Sequence, residues 1–116
     1  MDERAWDVVD RLVEWFDASS RLSPETERLL RLMKLSEEVG EVAQAVIGVT
    51  GQNPRKGVTH TWDDVQSELC DVIVTAMVAL ATFDSDARTL FSAHLDHVAQ
   101  RAFAVGSSVK HNDQRV

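Results

Sequence analysis

The sequence predicts an all-α fold, a helical bundle. Four stretches carry apolar residues at three- and four-residue spacing, and cap or breaker residues stand between them. No stretch alternates apolar and polar residues as a strand does, and no internal repeat or low-complexity tract interrupts the pattern. At 116 residues the chain is long enough for one modest core, so a single domain over residues 1–106 is expected, followed by a polar, disordered tail over 107–116.

The first helix is predicted from Asp2 to Ala18, with Trp6, Val9, Val13 and Phe16 as one stripe. The segment SSRLSPE breaks it. Ser23 is a good N-cap, and Pro24 sits at the first helical position, where a missing N–H costs nothing. The second helix then runs to about Val49, before Gly51, with Leu32, Leu35, Val39, Val42 and Val46 as its apolar stripe. The loop GQNPRKGVTH follows, with Arg55 and Lys56 side by side. Thr61 caps a third helix to about Phe83, whose expected core face is Val65, Leu69, Val72 and Ala76. Asp84 or Ser85 is the expected cap of a fourth helix, with Phe91, Leu95, Val98 and Ala102 as its stripe and an end near Gly106.

The formal net charge of −7 leaves no basic footprint of the kind a nucleic-acid polymer needs. A lone cysteine, Cys70, excludes an internal disulfide framework and reads as a small buried residue in a reducing compartment. The acidic, amphipathic N-terminus does not read as a signal peptide. The longest apolar run, Val72 to Phe83, is short for a bilayer, so no membrane is expected and the cytoplasm is the expected location.

Chemistry concentrates in two acidic pairs. Glu38 and Glu41 stand three apart on the second helix, one turn from each other on a shared face; Glu68 and Asp71 repeat that spacing on the third. Antiparallel packing of the two helices would bring the pairs opposite one another. Four converging carboxylates repel unless a cation lies between them, and oxygen-only ligands suit Mg²⁺ or Mn²⁺. For Glu38 and Glu41 alone a solvated helix face is the plainer alternative, since they lie beside the expected apolar stripe and Lys34 is four residues before Glu38. Glu68 and Asp71 lead into a segment with almost no polar face, where buried carboxylates need a partner or a metal. His60, His94, His97 and His111 do not stand three residues after a glutamate, which excludes the di-iron pattern, and one cysteine is too few for a Cys/His zinc site.

The stretches KLSEEVGEV and ELCDVIVTAMVAL, with the PRKG loop between them, resemble the MazG-like members of the all-α nucleoside triphosphate pyrophosphohydrolase superfamily. The resemblance covers about Leu29 to Phe83 and rests on Glu38-Val39-Gly40-Glu41 and Glu68-Leu69-Cys70-Asp71. It implies a four-helix, bundle-like fold and Mg²⁺ held by Glu38, Glu41, Glu68 and Asp71, with Mn²⁺ as a substitute. It also implies hydrolysis of a (deoxy)nucleoside triphosphate to the monophosphate and pyrophosphate. Glu37 would orient or deprotonate the attacking water, with a plain surface glutamate as its alternative. Lys34, Arg55 and Lys56 are candidates to neutralise the phosphate tail, and Trp15 or Trp62 to stack on the base, although both tryptophans also suit core positions. Arg101 is the match for a cation that relatives carry on the last helix. The resemblance further implies a homodimer or homotetramer, and Cys70, Val74, Met77 and Val78, off the expected core face, would pack on a second chain. Two other functions fit the same residues: a phosphohydrolase acting on another nucleotide diphosphate linkage, and a non-catalytic helical oligomer that binds a nucleotide or a protein.

Overall fold

The computed structural model describes residues 3–108 of the chain, and among them the fold is all-helical. The helices are α1 (Glu3–Ser19), α2 (Pro24–Thr50), α3 (Trp62–Phe83) and α4 (Ala87–Ser108). Each boundary has a local cause. Ser23 caps α2 by accepting from the Thr26 amide, ahead of Pro24. Gly51 closes it in the left-handed region at φ 64°, its N–H donating to the Ile47 carbonyl. Thr61 and Asp64 form a reciprocal capping box at the start of α3: the Thr61 hydroxyl accepts from the Asp64 amide and the Asp64 carboxylate accepts from the Thr61 amide.

Asp84 does not open the fourth helix. Its N–H donates to the Leu80 carbonyl and closes α3, and α4 begins at Ala87, so neither Asp84 nor Ser85 directly precedes it; the Leu90 amide donates to the Asp86 carbonyl. α4 also runs past Gly106 to Ser108, and the remainder of the expected tail lies outside the described residues.

The chain divides into two units, residues 1–85 and residues 86–116. In the first, α3 is the central helix, with α2 and α1 packed on it. Arg31 bonds Thr82 near one end of the α2–α3 pair, and Thr59 bonds Gly48 at the other, so the two helices run antiparallel. The loop between them lies directly on α2: the Thr59 amide donates to the Gly48 carbonyl at 2.9 Å, and any side chain at position 48 would run into His60 and Thr59. The second unit contains α4, which carries Leu90, Leu95 and Phe103 exposed.

The buried apolar side chains of the first unit are Trp6, Val9, Ala45, Val65, Met77, Val78 and Ala79. Trp6 and Val9 fulfil the expected stripe of α1. α2 is turned from expectation. Leu32, Val39 and Val46 are exposed, and the buried line is Arg31, Glu38 and Ala45, one residue per heptad, with half-buried Leu35 and Val42 beside them. α2 carries two apolar stripes, and periodicity alone does not say which one meets α3. Glu38 therefore lies within the buried line, not beside it.

On α3, Val65 is buried and Val74 exposed as expected, with Val72 and Ala76 half-buried, but Leu69 of the expected core face is exposed, and Met77 and Val78, expected to pack on a second chain, are buried within this one. Cys70 is exposed, not buried. By length and composition α3 passes as a membrane-crossing helix, a test that the core helix of a soluble protein also passes; its first half carries Asp63, Asp64, Glu68 and Asp71.

Candidate functional site

The antiparallel α2–α3 pair brings three of the predicted carboxylates together. One oxygen from each of Glu38, Glu41 and Glu68 lies within 4.8 Å of the others. Glu38 is buried, Glu68 half-buried and Glu41 exposed, so the cluster opens from the helix interface toward the surface. Asp71 follows Glu68 by one turn of α3, is exposed, and stands outside this set of three.

The bonding of these groups is incomplete. Glu38 Oε2 and Glu68 Oε2 are buried and have no hydrogen-bond partner. Among the described residues Glu38 Oε1 has a single cation, the Lys34 ammonium one turn away at 3.4 Å, which Glu37 shares at the same distance. The bonds to Glu38 and then Glu37 raise the Lys34 pKa above its ordinary value, so the ammonium persists beside the carboxylates. One shared, half-exposed lysine does not offset three converging acids, and buried polar atoms left unpaired are expensive. Three carboxylate oxygens within 4.8 Å of one another, two of the three side chains carrying an unpartnered buried oxygen, could hold a metal ion.

Beside the cluster lies an open groove of about 510 Å³ where α1, α2 and α3 meet. Leu12 and Phe16 of α1, Leu30 of α2, and Val74 and Val78 of α3 make it apolar; Arg21, Arg31 and Lys34 supply its cations, and Glu27 a carboxylate. Lys34 lines the groove and pairs with Glu38 of the acidic cluster at 3.4 Å. A volume of this size, apolar with a few polar groups, suits a small organic ligand.

The other predicted residues fall elsewhere. Trp15 and Trp62 are not core residues: they are 64% and 61% exposed, and the ring of Trp15 lies 5.2 Å from that of Phe16. Arg55 is an exposed loop residue whose amide donates to Asn53 Oδ1. Lys56 lines a separate hollow of about 310 Å³ with Gln44, Asn53 and His60. Arg101 is exposed on α4, in the second unit.

The residue the sequence reading missed is Arg31. Its guanidinium donates to Asp17 at 2.9 Å and Thr82 at 2.9 Å, pairs with Glu27 at 3.5 Å, and lies 5.7 Å from the Phe16 ring centre. It ties α1, α2 and α3 together at the floor of the groove. Its signal was its place seven residues before Glu38, on the second of the two stripes of α2.

No family model, curated protein or solved structure matches the chain. What the site can do is therefore read from its own side chains.

Proposed function

We propose that the chain is a Mg²⁺-dependent nucleoside triphosphate pyrophosphohydrolase with a MazG-like, four-helix fold, cleaving its substrate to the monophosphate and pyrophosphate. The observation that carries this reading is the convergence of Glu38, Glu41 and Glu68 with two buried carboxylate oxygens left unpartnered. Those oxygens fit Mg²⁺: they are hard donors, already desolvated, and lack any other source of positive charge than Lys34. Glu38, Glu41 and Glu68 would hold the ion, with Asp71 joining them from the next turn of α3. When bound, the ion would supply charge neutralisation at the phosphate oxygens and make a nearby water more acidic.

The remaining work falls to the chain. Lys34, held as an ammonium by Glu38 and Glu37, presents a cation at the boundary of cluster and groove, where a phosphate tail entering from the groove would meet it. Glu37, exposed and paired with Lys34, would accept the proton of the attacking water. The apolar groove takes the nucleoside, with Arg31 anchoring its floor. Arg55 and Lys56 belong to a loop that would have to move to reach the phosphates. The assembly is proposed as a homodimer or homotetramer.

The deciding measurement is phosphate-product analysis over a panel of canonical and modified (deoxy)nucleoside triphosphates, with Mg²⁺ and with EDTA. Metal-dependent release of pyrophosphate from one preferred nucleotide supports the proposal. Orthophosphate as the product would transfer the site to a different anhydride linkage. A folded protein without turnover on any of them, yet stabilised by Mg²⁺ and nucleotide together, would make it a binding module.

A further inference from the structure

The hollow between the end of α2 and the loop that follows it is the chemical opposite of the acidic cluster. Its polar lining is Gln44, Asn53, Lys56, Thr59 and His60, all within the first unit. No carboxylate lines it, although the chain carries 19 acids and a net charge of −7.

The loop is shaped by its own bonds. The Asn53 carbonyl accepts from the Lys56 amide at 3.1 Å and from the Gly57 amide at 2.9 Å, and Gly57 turns the chain in the left-handed region at φ 70°. The Thr59 hydroxyl bonds His60 Nδ1 at 2.9 Å, and this pair fills the space where a side chain at position 48 would stand.

Those bonds also decide what the side chains have left to offer. Asn53 Oδ1 accepts from the Arg55 amide at 3.1 Å, so the two N–H groups of Nδ2 remain. Thr59 takes His60 Nδ1, and Nε2 remains, a donor when the hydroxyl donates to Nδ1 or when the ring is protonated. Lys56 has donors only, and among the described residues no carboxylate pairs with it. Gln44 adds a second side-chain amide. Asp64, which feels the charge of His60, accepts from the Thr61 amide and does not line the hollow. Donors gathered about a cation, with no acid among them, form charge-assisted bonds to an oxyanion.

We propose that this hollow is a phosphate-binding site, separate from the acidic cluster, which takes free inorganic phosphate or the phosphate group of a small phosphomonoester. Lys56 Nζ, Asn53 Nδ2 and His60 Nε2 donate to its oxygens, with Gln44 as a fourth donor. Phosphate has oxygens enough to accept from all four, whereas a carboxylate has two. The hollow's 310 Å³ is at the lower end of small-molecule clefts, which admits a phosphate with a small substituent. The positive charge comes from the lining itself, so binding needs no Mg²⁺ and does not rest on the proposed enzymatic activity.

The test is a ¹H–¹⁵N NMR titration of the full chain in EDTA at constant ionic strength, with inorganic phosphate, glycerol 3-phosphate and acetate as probes. Phosphate is expected to shift the amides of residues 53–60 saturably, and acetate is not. Tighter binding of glycerol 3-phosphate would name the ester as the ligand, and tighter binding of inorganic phosphate the free ion. Lys56→Gln should weaken binding about tenfold or more. Asn53→Asp should do the same while keeping the acceptor for the Arg55 amide. Arg55→Gln makes the same charge change outside the hollow and should alter the dissociation constant by no more than about twofold. Shifts that do not saturate, shifts that acetate reproduces, or an Arg55→Gln effect as large as that of Lys56→Gln would overturn the proposal.

Discussion

Two charged residues lie on the same buried line of α2, seven residues apart and equally exposed at 8%, and their surroundings are opposite. Arg31 is well partnered: its guanidinium donates to Asp17 and Thr82, pairs with Glu27 at 3.5 Å, and lies 5.7 Å from the Phe16 ring centre. Glu38 has one cation, shared and half exposed, and an oxygen with nothing to bond. A buried charge with every partner in place holds helices together. A buried charge left short of partners, beside two others of its own sign, is the mark of a site that expects a ligand.

The contrast can be broken most forcefully at the acids. Glu38→Gln and Glu68→Gln are each expected to lower Mg²⁺-dependent turnover by about a thousandfold, the upper end for losing one electrostatic contact to a transition state. Neither should lower the melting temperature in EDTA: Glu68→Gln removes repulsion without losing an ion pair, and Glu38→Gln removes repulsion at the cost of only the half-exposed pair with Lys34. Wild-type protein should melt higher when Mg²⁺ is added, the bound ion adding about 2.7 kcal/mol of stability at a hundredfold excess over the dissociation constant, and the two variants should not respond. A substantial loss of stability in EDTA would return Glu38 to the same role as Arg31. Asp71→Asn sharpens the same test: a response matching Glu68→Gln would put Asp71 in the ion's shell, and an unchanged one would leave the cluster at three.

Arg31→Ala is expected to do the reverse, costing about 3 kcal/mol in chemical denaturation by leaving Glu27 and Asp17 without their cation and removing the packed stem. Mg²⁺ should still stabilise that variant. If Arg31→Ala folds with wild-type stability, the junction of α1, α2 and α3 is held by its apolar contacts alone.

A smaller effect belongs to the start of α3. Thr61→Ala should cost about 1 kcal/mol, since the cap satisfies an otherwise unpaired amide. The smallest is a pH effect. The Thr61 amide holds the Asp64 carboxyl below its ordinary pKa. A carboxyl depressed on folding adds stability that is complete above the ordinary carboxylate range and is lost as pH falls through the depressed value. Melting curves through the acid range should therefore be shallower in pH for Asp64→Asn than for the wild type; identical slopes would show that this cap does not titrate with folding.

The linear sequence determined the elements. Ser23–Pro24, Gly51 and Thr61–Asp64 are local signals, acting over three or four residues through backbone amides, so α1, α2 and α3 begin and end within a residue or two of where the pattern places them. It also determined that two carboxylates share a face on each of α2 and α3, because a three-residue spacing has one geometric meaning on a helix. Only the tertiary structure decided which side of α2 is buried. That helix is apolar on two sides, and the choice between them turns on fit against α3, a contact between residues dozens of positions apart. The same choice buried Glu38, brought Glu41 and Glu68 to it, made Arg31 a tie between helices, and left Met33, Gly40 and Ile47 facing outward. The tryptophans show the limit from the other side: Trp6, Trp15 and Trp62 all carry the hydrophobicity of a core residue, and only the packing of α1 on α3 buries the first while leaving the other two exposed.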